Sequence, residues 1–183
     1  MAAQRPWTEL SREEIASMAG GPQEKIASMA GVPQPEEQRE PEAATFICSR
    51  ETLDGIYPSL ILGINARRLG MDATIFYTFM GINVIKKGRV GKARFIPAGV
   101  MGAIPGMSSF ATWMMKKKID KAQIPTIEEL FEIAELEGVK FVACRMTMDM
   151  MELTEADLMD GVEVQAADDF MKHAKTCKIN LFT

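Results

Sequence analysis

The 183-residue chain has few cysteines and a single histidine, which excludes several kinds of fold and site. Cys48, Cys144 and Cys177 are too few and too scattered for the disulfide framework of a small secreted protein. No CxxC motif is present, and His173 alone cannot complete a cysteine-rich zinc site. No metal and no other cofactor is therefore predicted, and an unpaired cysteine is a candidate for thiol chemistry.

The sequence also lacks a long apolar segment. The longest nearly uncharged run in the first half of the expected domain, residues 73–85, has 13 residues, whereas a membrane-spanning helix needs about 20. The N-terminus shows no signal-peptide pattern. We therefore expect a cytoplasmic protein, in which thiols stay reduced.

Charge is unevenly distributed along the chain, although the net charge is only −4. Residues 86–121, called the basic island below, carry nine basic and one acidic side chain, and residues 122–183 carry five basic and thirteen acidic ones. The basic island is either a solvated face or a surface that docks an acidic partner or attracts small anions. Nucleic-acid binding is not predicted, because the chain is acidic overall and shows no recognition module.

A tandem duplication marks the N-terminal part of the chain. The unit "EEIASMAGGPQ" (13–23) is followed directly by "EKIASMAGVPQ" (24–34), and then by a segment rich in proline and glutamate. Residues 1–43 are interpreted as a flexible tail and linker, with the folded domain at 44–183. The alternative is a pair of docking peptides with four apolar anchors. These anchors would be Ile15, Met18, Ile26 and Met29.

Strand and helix patterns alternate from residue 44 onward. Predicted strands cover residues 44–49, 72–79, 92–99, 139–144, 162–165 and 178–182. Predicted helices cover residues 52–70, 108–121, 126–138 and 166–176, with a short helix or turn at 81–88. This alternation predicts an α/β fold of three layers, α/β/α, with a mostly parallel sheet. In such folds, sites form where the carboxyl ends of strands meet the following loops, and Cys48 and Cys144 both lie at such ends.

The segment "KFVACRMTMDMM" (140–151) places a thiol at a strand end, and four of the seven residues after it are methionine. If a helix begins there, Thr147 and Met148 share the side of the thiol, with Met151 one turn further. The free N–H groups of a helix start, with Arg145 adjacent, favour a thiolate, and methionines supply a polarisable lining.

The alternative is that the cysteines only pack the core, since free cysteine is among the most buried residue types. Cys48 and Cys177 are interpreted in this way, and His173 is interpreted as a surface residue of a helix.

Three segments together resemble the DsrE/DsrF/DsrH-like family, in particular its branch with a C-x-M-[S/T]-M-D-x-M segment. They are "FYTFMGINVIKKG" (76–88), "IPTIEELFEIAELEGVKFVACRMTMDMM" (124–151) and "LTEADLMDGVEVQAADDFMKHAKTCKINLFT" (153–183). The resemblance implies a parallel sheet of about five strands between helices, homo-oligomers, and a role in cytoplasmic sulfur trafficking. It also implies that Cys144 occupies the position of the cysteine that carries sulfane sulfur as a persulfide or thiosulfonate.

The leading hypothesis is thus a sulfur carrier or a sulfurtransferase that relays a persulfide on Cys144. Arg145, Thr147, Met148 and Met151 would surround the bound sulfur. The expected partners are a sulfur donor or acceptor protein and small sulfur anions such as thiosulfate. The alternatives are a non-catalytic oligomeric binding module of the same fold and a peroxiredoxin-like thiol redox protein, the latter lacking a convincing resolving cysteine.

Two further features bear on the shape of the site. Glu152 stands where the family branch has a glycine, and glutamate adopts a positive φ less easily. The loop and helix start "FIPAGVMGAIPGMSSFATWMM" (95–115) is rich in glycine and methionine. It is expected to close over Cys144, to form a subunit interface or to touch a membrane surface through Trp113, and the interface is favoured.

Overall fold

The computed structural model describes residues 42–97, 99 and 104–183, so the duplicated N-terminal segment lies outside the described residues. In chain order the helices and strands are β1 (Ala43–Cys48), α1 (Leu53–Arg68), β2 (Asp72–Tyr77), a 3₁₀ helix (Phe79–Ile85), α2 (Met107–Lys121), α3 (Ile127–Leu136), β3 (Lys140–Cys144), α4 (Arg145–Met150), a 3₁₀ turn (Glu155–Asp157), β4 (Glu163–Gln165), α5 (Ala167–Ala174) and β5 (Ile179–Phe182).

The five strands form one parallel sheet in the order β4-β3-β2-β1-β5. The chain adds β2, β3 and β4 on one side of β1 and then returns to place β5 on the other side. All carboxyl ends of the strands therefore meet at one edge, called the carboxyl edge below. The predicted fold class, an α/β protein with a parallel sheet between helices, is confirmed.

The predicted strand at residues 92–99 is wrong. Within this segment the backbone forms one isolated bridge, between Thr52 and Arg94. The N–H of Phe95 donates to the hydroxyl of Thr112 in α2, 2.9 Å away, instead of joining a ladder. An apolar run does not form a strand without a neighbouring strand edge, and this one lies against the start of α1.

Side chains of the sheet alternate between two cores of unequal size. Ile75, Tyr77 and Phe141 point into the main cluster, which packs against α1 and α3. Phe76 and Val142, one position along, point into a smaller cluster on the opposite face. The second-face cluster, as we call it, consists of four buried residues, Phe76, Val142, Cys144 and Phe170, with Ile47 and Ala174 at its margin.

Helix α3 forms as its sequence predicts. The hydroxyl of Thr126 accepts from the N–H of Glu129, and the carboxylate of Glu129 accepts from the N–H of Thr126, which completes a capping box. The helix buries Ile127, Leu130 and Phe131 on one side. Among the described residues, no helix combines the length and the apolar character needed to cross a bilayer.

Candidate functional site

Cys144 joins a buried strand to a helix without an intervening loop. It is the last residue of β3, and with φ −73° and ψ 117° it forms the N-cap of α4. A helix thus begins directly after this cysteine, which is the condition under which the sequence analysis placed Thr147 and the methionines. The first N–H groups of α4 have no carbonyl partners within the helix. The thiol of Cys144 makes no capping hydrogen bond to these N–H groups.

The side chain of Cys144 is only 5% exposed and lies in the second-face cluster. The rings of Phe76 and Phe170 stack beside it, with centroids 4.0 Å apart and an interplanar angle of 15°. Phe170 is the single buried residue of α5. The thiol is therefore buried in a small apolar cluster, to which α5 contributes Phe170 as its buried residue and Ala174 at the margin.

Two of the predicted site residues tie α4 to its surroundings. The guanidinium of Arg145 lies 3.5 Å from a carboxylate oxygen of Glu155. The hydroxyl of Thr147 lies 3.1 Å from that of Thr78 and accepts from the N–H of Phe79 at 3.2 Å. Thr147 thus fastens α4 to the loop after β2, while the charge of Arg145 is shared with Glu155.

The methionines do not gather around the thiol as helical spacing predicted. Met148 is buried in the main cluster, and Met151 packs against that cluster, whereas Cys144 belongs to the second-face cluster. The reason is that Cys144 still has an extended backbone and follows the alternation of β3, so the spacing of a helix does not describe its direction. A role for Met148 and Met151 in binding sulfur stays a prediction.

Glu152 adopts the left-handed conformation of a helix-terminating glycine. Its φ is 54°, the N–H of Leu153 donates to the carbonyl of Met148, and the N–H of Glu152 donates to that of Asp149. These two bonds define a Schellman motif at the end of α4. The loop after the cysteine therefore keeps the shape that suits glycine, although the residue is glutamate.

Exposed apolar side chains surround the end of β3, a feature that the sequence analysis missed. Phe79 is 60% exposed, Met146 is 71% exposed and Met150 is 57% exposed. With Met80 they form what we call the carboxyl-edge patch. The four-residue spacing of Met146 and Met150 was the available signal, because it places both side chains on one side of α4.

Phe79 also has strained backbone. Its φ of 46° lies in the left-handed region, where a bulky residue is rare. The loop is fixed by the bond to Thr147 and by the close approach of Gly81 to the end of β1, where a Cβ would meet the carbonyl oxygen of Cys48 at 2.1 Å. The carboxyl-edge patch is therefore held in a defined shape.

The other two cysteines have different surroundings. Cys48 is fully buried, its thiol donates to the carbonyl of Arg50 at 3.5 Å, and burial raises its pKa. The sulfur of Cys177 lies 3.7 Å from Nε2 of His173, and burial raises the pKa of this thiol too. His173 is half-buried with Nε2 3.4 Å from the hydroxyl of Thr74, so its interpretation as a surface residue is corrected.

The fold and the site together define a class of protein. It is a three-layer α/β protein with a cysteine between the carboxyl end of a strand and the start of a helix. Residues 40–182 match the model of the DsrE/DsrF/DrsH-like family. The chain therefore belongs to this family, and the resemblance noted in the sequence is confirmed.

Curated relatives and solved structures agree with this assignment. The chain is 33% identical over 159 residues to the sulfur carrier protein DsrE2 of Allochromatium vinosum, with 78% of this chain and 99% of the relative covered. It is 30% identical over 142 residues to the uncharacterized protein YrkE of Bacillus subtilis, with 70% and 89% covered. The ychN protein of E. coli shares the fold, with a TM-score of 0.51 at 14% identity over 79% of this chain and 100% of that structure.

Proposed function

We propose that this protein is a sulfur carrier in which the Cys144 thiol accepts sulfane sulfur and passes it to a partner protein. The observation that carries the proposal is the position of Cys144 as both the last residue of β3 and the N-cap of α4. Ligands of parallel α/β sheets bind at this edge. The family and the sulfur carrier relative in Allochromatium vinosum support the same class of function.

The transfer needs no oxidant beyond the sulfur donor itself. The Cys144 thiolate attacks the outer sulfur of a donor persulfide, a new S–S bond forms to Cys144, and the S–S bond of the donor breaks. The donor leaves as a thiolate. With thiosulfate the same attack releases sulfite. In a second attack, an acceptor thiolate displaces Cys144 from the outer sulfur of its persulfide, which frees the Cys144 thiolate and leaves the persulfide on the acceptor.

The carboxyl-edge patch supports delivery from one protein to another. Exposed apolar side chains clustered beside a buried reactive group are typical of surfaces that bind other proteins. Met146, two residues after Cys144, is 71% exposed, so a partner seated on it contacts the helix that follows the thiol. The enclosure of the thiol by apolar side chains also protects a persulfide from water between transfers.

The same burial favours a second candidate function, a binding module in which Cys144 is a core residue. A thiol that is 5% exposed is also what simple packing produces. The two functions differ in one measurable property: a carrier forms a sulfur adduct in the folded state, and a packing cysteine does not.

Intact-protein mass spectrometry tests the proposal directly. The reduced full-length protein is incubated with glutathione persulfide or thiosulfate, beside the Cys144→Ser variant and the Cys177→Ser variant as a matched control, since Cys177 is the more exposed thiol. We expect an added sulfur atom on the wild type and on Cys177→Ser, and none on Cys144→Ser. Equal labelling of Cys144→Ser, or no labelling of the wild type, favours the binding module.

We further propose that the carrier works in the cytoplasm as a homo-oligomer. Helix α2 has Ala111 as its single buried residue, while Phe110 is 58% and Trp113 54% exposed. Aromatic side chains exposed on one helix fit a subunit interface. Light scattering of the wild type and of Trp113→Glu measures this: a smaller mass for the variant supports the interface, and a monomeric wild type contradicts it.

A further inference from the structure

A concave site lies apart from Cys144. A cavity of about 700 Å³ opens between the start of α1, the 3₁₀ helix and the segment that precedes α2. Thr52, Asn83 and Thr112 are among its lining residues, and neither Cys144 nor any residue of α4 lines it. A function of this cavity is therefore separable from the chemistry of the thiol.

The cavity concentrates positive charge. Arg89, Lys92, Arg94 and Lys116 line it, against the carboxylate of Glu51 in the lining and that of Glu128, which lies against the lining residue Gly91. None of these four cations forms a salt bridge with another residue in the part of the chain that the structure describes. Clustered cations in a concave surface focus their field on one region and attract anions there.

Hydrogen bonds to α1 and α2 hold in place the wall of the cavity that carries these cations. The N–H of Leu53, the first residue of α1, donates to the carbonyl of Arg94 at 3.1 Å. The N–H of Phe95 donates to the hydroxyl of Thr112 at 2.9 Å, and the ammonium of Lys116 reaches the carbonyl of Gly91 at 3.5 Å. Residues 91–95 are therefore fastened to both α1 and α2, which preorganises the cations.

One lining side chain has unused hydrogen-bonding capacity. The hydroxyl of Thr52 is buried and has no hydrogen-bond partner among the described residues. Buried hydroxyls are nearly always partnered, since an unmade hydrogen bond costs about 1–3 kcal/mol. The hydroxyl oxygen itself is closed to solvent, so it meets a ligand in the cavity only after the Thr52 side chain rotates.

We propose that this cavity binds an organic phosphate ester that carries two or more negative charges and is about the size of a nucleoside diphosphate or triphosphate. The volume lies in the range of about 300–1,000 Å³ that is usual for small-molecule sites, well beyond one tetrahedral oxyanion. Ile96, which is 54% exposed, gives the cavity an apolar side chain for the organic part. Arginine pairs with phosphate oxygens in a bidentate manner, and lysine as a point charge.

This inference goes beyond sulfur transfer and does not depend on it. Isothermal titration calorimetry of the full-length protein tests it with four probes: ATP, adenosine, inorganic pyrophosphate and thiosulfate. We expect ATP to bind most tightly, pyrophosphate to retain part of the affinity, and adenosine to bind at least about tenfold more weakly because it lacks the charge-assisted hydrogen bonds.

Two double variants with equal loss of charge separate the cavity from the general field of the basic island. Lys92→Gln with Lys116→Gln removes two lining cations, and Lys118→Gln with Lys121→Gln removes two exposed lysines of α2 outside the cavity. We expect the first pair to weaken ATP binding at least about tenfold and the second pair to change it less than about twofold. Circular dichroism of both variants verifies that α2 and the sheet remain folded.

Three outcomes overturn the proposal. The first is the absence of saturable ATP binding at millimolar concentration. The second is an equal loss of affinity in both double variants, which assigns the binding to diffuse charge. The third is binding of thiosulfate without binding of ATP, which makes the cavity a site for sulfur oxyanions and not for organic phosphates.

Discussion

At the scale of single residues, Glu152 carries a conformational cost that the fold imposes on it. A non-glycine residue in the left-handed region costs about 1–2 kcal/mol. The Schellman bonds at the end of α4 require that conformation at this position. A substitution at Glu152 can remove this conformational cost without disturbing the core, because the side chain of Glu152 is exposed.

Glu152→Gly is therefore expected to stabilise the protein. Glycine adopts the left-handed conformation without strain, which raises the free energy of unfolding by about 1–2 kcal/mol. The greater conformational freedom of glycine in the unfolded chain lowers it by about 0.4–1 kcal/mol. We expect a net increase of about 0.5–1 kcal/mol in the free energy of unfolding, measured by urea denaturation.

A matched control is Glu132→Gly, at an exposed glutamate within α3. There the backbone is helical, and glycine costs about 1 kcal/mol. Opposite signs for the two variants identify the backbone as the cause. A loss of stability in both variants contradicts the strain at Glu152.

At the scale of secondary-structure elements, the 3₁₀ turn 155–157 is held by one carboxylate. The side chain of Asp157 accepts from the N–H of Thr154 at 2.8 Å and from its hydroxyl at 2.7 Å. These bonds lower the pKa of Asp157 below its ordinary value of 3.8. The turn also bonds to the chain after β2, through the carbonyl of Asp157 and the N–H of Lys87.

The stabilisation by Asp157 should depend on pH in a defined direction. A carboxyl whose pKa is lowered in the folded state contributes stability above its ordinary value of 3.8 and loses that contribution as the pH falls through the folded value. We expect the difference in unfolding free energy between the wild type and Asp157→Asn to be constant near neutral pH and to shrink at acidic pH below 3.8. Urea denaturation across this range measures it, and a difference that is independent of pH contradicts the assignment.

At the scale of the whole molecule, the two faces of the sheet are unequally covered. The main cluster packs under α1 and α3, whereas α5 buries a single side chain, Phe170, in the second-face cluster. Local opening is easiest where few apolar contacts hold an element. The helix that covers Cys144 is therefore the part of this face expected to open first.

Phe170→Leu is expected to increase the accessibility of Cys144. Loss of the stacked ring weakens the attachment of α5 by about 1–2 kcal/mol, which raises the population of the open form roughly tenfold. The measurement is the rate of alkylation of Cys144 in the native protein, followed by peptide mass spectrometry.

Phe131→Leu provides the comparison. Phe131 is as buried as Phe170, at 3% exposure, but belongs to the main cluster. We expect it to reduce global stability by a similar amount while it changes the alkylation rate of Cys144 much less. Equal acceleration in both variants would show that Cys144 becomes reactive only through global unfolding.

Much of the candidate site could be predicted because its signals are local. The apolar run before Cys144 and the change of pattern after it predicted the junction between β3 and α4, and the structure confirms that junction. The capping box at Thr126 is equally local. The extent of the domain at 44–183 and the roles assigned to residues around Cys144 stay predictions.

The errors share a physical cause. The run 92–99 looked like a strand, but pairing requires a free sheet edge, which its own sequence does not encode. Met148 and Met151 were placed by helical spacing around a residue that still follows the alternation of a strand. In each case the residue pattern did not determine the pairing or the direction of the backbone, and these decided the outcome.

The sequence by itself determined the alternation of strands and helices, and with it the parallel α/β class and the place of Cys144 at a carboxyl end. Periodicity and turn chemistry act over a few residues, so they can be read along the chain. Only the tertiary structure decided which face of the sheet holds the thiol, how Phe170 encloses it, and how distant cations meet around one cavity. Those features depend on contacts between elements far apart in sequence, because packing and the convergence of charge arise only when the sheet has formed.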